Sequence, residues 1–136
     1  MVALLRRFLL RPLVALGLCL CLGLTACSAA GSLSGSYPDD TLTVAKSLLA
    51  TIALEADDPG RGTAESEARA LINEYMARYR PRKDVNGLGS FTTMQTALNS
   101  LAGHYASYAN RPLPESLRTR IEKELKKAES GVQRGA

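Results

Sequence analysis

VNGLGSFTTMQTALNSLAGHYASYAN, residues Val85 to Asn110, contains no Asp, Glu, Lys or Arg in 26 consecutive positions of a chain that is 22% charged. A run this silent is a membrane span, a buried core element, or a surface kept neutral for a partner. A helical wheel at about 100° per residue separates these readings. Phe91, Met94, Ala97, Leu98, Leu101, Ala102, Tyr105 and Tyr108 share one broad apolar face. Opposite stand Thr92, Thr93, Thr96, Asn99, Ser100, Gly103, His104 and Ser107. Polar groups are costly in hydrocarbon, so the second face rules out a span. The segment reads as an amphipathic helix from Ser90, a candidate N-cap, to about Asn110.

The flanks extend the pattern. Arg111-Pro112-Leu113-Pro114 breaks the helix and sets Pro114 at the first turn of another, whose narrow stripe is Leu117, Ile121, Leu125, Ala128 and Val132. Upstream, Pro81 ends a helix running from about Thr63 to Arg80, with Leu71, Ile72, Tyr75, Met76 and Tyr79 as its stripe. Glu65 with Arg69 and Glu74 with Arg78 are i,i+4 pairs on that helix. Before it, Asp39 or Asp40 can cap a helix bearing Leu42, Ala45, Leu48, Leu49 and Ile52. That helix should stop near Glu55, ahead of Asp57-Asp58-Pro59-Gly60. No strand alternation competes. Four amphipathic helices with short connections predict an all-α fold, an antiparallel up-down-up-down four-helix bundle over residues 39–136.

The N-terminus has a different logic. Arg6, Arg7 and Arg11 precede the apolar run Leu13 to Leu22, which is about half the ~20 residues a stable span needs. A basic start, a short apolar stretch and small residues describe a secretory signal peptide rather than a transmembrane anchor. Arg6-Arg7 matches a twin-arginine signal poorly, which favours ordinary secretion. The run ends in Leu24-Thr25-Ala26-Cys27, which resembles the bacterial lipobox. Small residues before the cut fit the peptidase, and the Cys27 thiol takes up a diacylglyceryl group; the competing reading is a plain signal peptide with a chance cysteine. Two or more acyl chains give durable anchoring at about 0.8 kcal/mol per buried methylene. The expected organisation is a signal peptide over 1–26, lipidated Cys27 with a Gly/Ser-rich flexible tether over 27–38, and the bundle.

Cleavage changes the inventory. Cys19 and Cys21 leave with the signal, so their spacing is neither a metal site nor a redox pair. Losing three arginines from 17 basic residues leaves 14 against 13 acids, a net of +1, which undercuts the nucleic-acid reading that +4 invites. The remaining charge is uneven: eight acids face three bases from Asp39 to Glu74, and eleven bases face five acids from Tyr75 to Ala136. Such polarity gives a solvated surface a direction.

Catalytic and metal chemistry lacks its residues. One His and no free thiol remain, which excludes His/Cys metal clusters and thiol catalysis. No G-x-S-x-G elbow accompanies His104, which reads as a hydrogen-bonding surface or groove residue. Met94 and His104, ten positions apart on one helix, cannot clamp a haem iron from opposite sides. Asp39-Asp40 and Asp57-Asp58 are explained by capping and a turn. No cofactor is expected beyond the acyl group on Cys27. Arg78, Arg80, Arg82 and Lys83 gather at a helix C-terminus, where cations offset the carbonyl partial charges by about 0.3–1 kcal/mol each. The same cluster can steer an acidic partner, so the two readings are compatible.

Ser90 to Tyr105, SFTTMQTALNSLAGHY, followed by Asn110-Arg-Pro-Leu-Pro114, closely resembles the small lipid-anchored assembly and repair factors of cyanobacterial photosystem II. The resemblance extends to Asp40-Thr-Leu-Thr-Val44, Leu71-Ile-Asn-Glu-Tyr75, Arg78-Tyr-Arg80, Arg134-Gly-Ala136 and Cys27. It implies a non-enzymatic lipoprotein on the lumenal side of the thylakoid membrane. It further implies transient binding to the lumenal domain of an inner chlorophyll-binding antenna subunit, in immature or damaged photosystem II. Binding would precede manganese-cluster assembly and attachment of the extrinsic subunits. For docking, we expect Arg78, Arg80 and Arg82, with Arg111 and Arg118, to meet an acidic surface. The neutral face of the third helix, including Thr96, Asn99 and His104, would lie alongside, because interface cores are depleted in charge. Without the resemblance, the residues describe a monomeric, lipid-anchored helical bundle that binds protein, with a general envelope adaptor as the alternative.

Overall fold

The charge-free run folds as α4 (Gly89–Ser107) in a computed structural model that describes residues 32–136. The expected signal peptide, the lipobox-like stretch and Cys27 lie outside those residues. Before α4 come α1 (Tyr37–Ile52), α2 (Arg61–Tyr79) and the single turn α3 (Lys83–Asn86); after it comes α5 (Glu115–Gln133). The four long helices close a ring in which α1 packs on α2, α2 on α4, α4 on α5 and α5 on α1. This is the expected antiparallel bundle, since short connections force each helix to return beside its predecessor.

The core repeats the stripes. Val44, Ala45 and Leu48 from α1 meet Ala68, Ile72, Tyr75 and Tyr79 from α2. Phe91, Met94, Leu98 and Leu101 from α4 meet Ile121, Leu125 and Ala128 from α5. Each such leucine or isoleucine contributes about 1.5–3 kcal/mol on leaving water. Leu42, Leu49, Leu71 and Met76, which the wheel assigned to the core, are only partly covered. They sit on the shoulders of their stripes.

Several boundaries differ from the expected ones. α1 opens at Tyr37, ahead of Asp39, with Pro38 in its first turn and Ser36 as the extended N-cap residue. Asp40 therefore lies inside the helix, where its carboxylate reaches backward instead of capping (described below). Ser90 is likewise not an N-cap: Leu88 holds that position, and Ser90 is buried with its hydroxyl 2.7 Å from that of Tyr37. α4 stops at Ser107, short of Asn110, because the backbone turns out at Tyr108 and Asn110 adopts φ 63°, a left-handed conformation that asparagine tolerates. α3 was not foreseen in the loop after Pro81; it forms around Val85, whose side chain is buried.

The packed unit also begins earlier than residue 39. Leu33 is 6% exposed, so the segment from Leu33 to the start of α1 is part of the bundle. The connection from Ala53 to Gly60 carries Glu55, Asp57 and Asp58, and the Asp58 carboxylate accepts the Gly60 amide hydrogen at 2.7 Å to shape the turn. Among the described residues, no helix is long and apolar enough to cross a membrane.

Candidate docking faces

Call the end of the bundle holding the start of α1 and the end of α2 the base. There, three tyrosines and a phenylalanine gather, with ring centroids of Tyr37 and Tyr79 5.4 Å apart, of Tyr75 and Tyr79 5.0 Å apart, and of Tyr75 and Phe91 6.3 Å apart. Buried phenols need partners, and each has one. Tyr75 pairs with the Thr41 hydroxyl at 2.8 Å, and Tyr79 donates to the Asp40 carboxylate. Asp40 also accepts from the Ser34 amide at 2.7 Å, the Ser34 hydroxyl at 2.7 Å and the Gly35 amide at 2.9 Å. Burial alone would raise the Asp40 carboxyl, but the Tyr79 and Ser34 hydroxyls and the two amides outweigh it and hold it below the usual carboxylate range. Burial pushes the Tyr75 and Tyr79 phenols well up.

The predicted arginine cluster surrounds this base, largely engaged in local contacts. Arg78 donates to the Leu33 carbonyl at 3.3 Å and faces Glu74 at 3.6 Å. Arg82 forks onto Asp84, with its guanidinium 5.4 Å from the Tyr79 ring centroid. Arg80 and Lys83 are exposed, and no carboxylate lies within ion-pair distance of either among the described residues.

Arg111 and Arg118 are not with them. They lie at the far end of α4, a helix of 19 residues and so about 28 Å long, which splits the expected basic patch in two. At that end His104 is 6% exposed, and its Nε2 lies 3.1 Å from the Arg111 carbonyl oxygen. Only an Nε2–H can serve a carbonyl, so His104 closes the α4–α5 loop and leaves the docking set. Arg118 pairs with Glu115 and lines a groove against Leu49, Ile52 and Ala53 of α1 and the loop after it, on a different face of α5 from the one that faces Thr96 of α4. Arg61 and Arg69 stitch the same end, through the Asn110 carbonyl at 3.1 Å and the Tyr105 carbonyl.

The neutral face of α4 is exposed at Thr92, Thr96, Asn99, Gly103 and Ser107. A Cβ at Gly103 would meet nothing within 4 Å, so close helix packing does not explain that residue. Thr92, Thr93 and Thr96 form one wall of an open groove of about 410 Å³, and Arg120, Lys123, Glu124 and Lys127 of α5 form the other. Arg120 donates to Ser100 across it at 2.9 Å. No carboxylate lies within ion-pair distance of Arg120, Lys123 or Lys127 among the described residues. Of the expected docking face, Thr96 lines this groove together with Thr92 and Thr93, and Asn99 and His104 do not. The three α5 cations were missed because α5 reads from sequence as a uniformly charged surface. The signal was their spacing, which sets 120, 123 and 127 on one side.

Among the described residues, no three His, Cys, Asp or Glu side chains are grouped to hold a metal, and no buried side-chain polar atom lacks a partner.

Comparison with known proteins places this geometry. A family model described as Photosystem II Pbs27 matches residues 10–131. The Photosystem II lipoprotein Psb27 of Synechocystis sp. is 50% identical over 93% of this chain and 94% of its own length. The Photosystem II assembly factor lipoprotein Psb27 of Thermosynechococcus vestitus is 48% identical over 90% of this chain and 92% of its own. The chloroplastic Photosystem II repair protein PSB27-H1 of Arabidopsis thaliana is 34% identical over 73% of this chain and 58% of its own. A solution structure of Psb27 from cyanobacterial photosystem II superposes with a TM-score of 0.76 at 49% identity, over 82% of this chain and 96% of that one. The Arabidopsis thaliana PSB27 crystal structure gives 0.72 at 34% identity, over 74% and 98%.

Proposed function

Because the chain belongs to the Photosystem II Pbs27 family, we propose that it is a non-catalytic assembly and repair factor of photosystem II, held at the lumenal face of the thylakoid membrane by an acyl group on Cys27. It docks transiently on the lumenal domain of an inner chlorophyll-binding antenna subunit, in complexes that are immature or damaged. It is present before the manganese cluster is assembled and leaves before the extrinsic subunits attach. Such a factor acts by differential affinity: it favours one assembly state only as far as it binds that state better than the next. The observation that carries this reading is the overlap with a photosystem II lipoprotein along nearly the whole chain, through every long helix. The names of two relatives contain the word lipoprotein, which supports the Cys27 anchor.

The α4–α5 groove is the docking surface we assign. Its neutral threonine wall suits an interface core, and Arg120, Lys123 and Lys127 suit a rim that attracts and orients an acidic surface. Affinity isolation through a C-terminal tag tests the reading. Photosystem II subunits, the inner antenna among them, should co-purify in complexes without extrinsic subunits. Retrieval of no photosystem II subunit overturns it.

A further inference from the structure

The turn Arg78-Tyr79-Arg80-Pro81-Arg82-Lys83 begins beside the segment where the chain joins the bundle, which Arg78 and Tyr79 contact. Leu33 is the first buried residue among those described. Its carbonyl accepts from Arg78 at 3.3 Å, and its amide donates to Glu74 at 3.4 Å. Ser34 and Gly35 are fixed on Asp40, itself held by Tyr79. The root of the tether is therefore pinned beside Arg78. Cys27 lies six residues before Leu33, and six residues span at most about 20 Å however they are arranged.

We propose that this basic base binds the anionic lipid headgroups of the membrane that holds Cys27; the proposal rests on the acyl-anchor reading above. Residues 78–84 hold four cations against Asp84, a formal +3, and Arg134 adds an exposed cation just past the end of α5; of the acids at this end, Asp40 and Glu74 are engaged within the fold and Asp39 is exposed. The pairing of Arg78 and Arg82 leaves Arg80 and Lys83 as the side chains turned to solvent. A charge held within about 20 Å of a surface samples the last ~8 Å, where salt no longer screens it, far more often than a free protein does. Each cation in that layer strengthens contact with an anionic surface about fivefold. Headgroup contact at the base stands the bundle upright on its root and turns the α4–α5 groove sideways, along the membrane.

Amine-reactive labelling of the full acylated chain tests this, on vesicles of phosphatidylcholine alone or mixed equally with phosphatidylglycerol. On the mixed vesicles Lys83 should label about fivefold more slowly or less, while exposed Lys46, Lys123 and Lys127 keep their rates. Arg80→Glu should restore the Lys83 rate without shifting the melting temperature. Equal Lys83 labelling on both vesicles overturns the proposal, as does protection of Lys123 and Lys127 in its place. The same spectra weigh the N-terminal peptide, so a missing acyl group on Cys27 is read separately. A non-acylated chain that keeps the anionic-only protection retains the headgroup contact and removes the anchor.

Discussion

Tyr79, in the last turn of α2, donates its phenolic hydrogen to the Asp40 carboxylate in the first turn of α1. The bond joins two helices and, through Asp40, fixes the segment from Ser34 to Gly35. Asp40 is 2% exposed, so its charge is tolerated only because four donors surround it.

Removing one donor should be costly. Tyr79→Phe keeps the ring packing on Tyr37 and Tyr75 and deletes a hydrogen bond to a charged group, which is worth about 1.5–3 kcal/mol. Urea unfolding should lose that much, and hydrogen exchange at Ser34 and Gly35 should quicken. An unchanged midpoint would mean that the bond contributes nothing net.

Acid should act through the same carboxylate. A folded-state value held below the ordinary 3.8 contributes stability in full above that pH and loses it as the pH falls through the folded value. The urea midpoint should therefore drop below about pH 3.8, and Asp40→Asn should flatten that part of the profile. The phenols give the opposite sign. Burial first, and the Glu65 charge second, push Tyr105 up to about 12, so its contribution is complete below the ordinary 10.0 and fades as the pH climbs toward 12. Phenolate absorbance should show Tyr105, Tyr75 and Tyr79 ionising only with alkaline unfolding.

Two glycines in long helices should respond oppositely to alanine. Gly103 has open space around its absent side chain, so Gly103→Ala should gain about 0.5–1 kcal/mol of helix preference. A Cβ at Gly131 would lie 3.0 Å from the Ser90 Cβ and 3.4 Å from its Cα. Forcing α5 off α4 costs about 1–3 kcal/mol, which exceeds the same gain. Thermal melts of the two variants should move in opposite directions.

Reversing Lys123 and Lys127 to Glu should leave the fold intact, since both are exposed. It should weaken retrieval of photosystem II subunits by about tenfold or more and flatten its salt dependence. Equivalent loss from Arg118→Glu, on the α1 side of α5, would move the docking face to that groove.

The bundle was legible because its signal is repeated: each stripe is a period of three and four residues sustained over several turns, and proline stands at three of the boundaries. What sequence reasoning missed depends on contacts between distant segments. Asp40 looked like a cap because capping is local, whereas its real partners are Ser34, Gly35 and a tyrosine 39 positions away. His104 looked like a surface residue because a wheel ignores the loop that folds back over it. Arg78 and Arg118 looked like one patch because sequence proximity to different turns says nothing about which end of a bundle each turn occupies. Thr96 and Asn99 stand on the exposed face where the wheel sets them, since an exposed residue on a straight helix needs no distant partner.

The connection bearing Glu55, Asp57 and Asp58 and the turn bearing Arg78, Arg80, Arg82 and Lys83 sit at opposite ends of α2. A helix of 19 residues separates them by about 28 Å, so this segment of the chain carries an electric moment along α2. In the field of an anionic surface that moment exerts a torque, turning the basic end down while the bundle is still in solution. Orientation thus precedes contact, and its reach shrinks or grows with ionic strength.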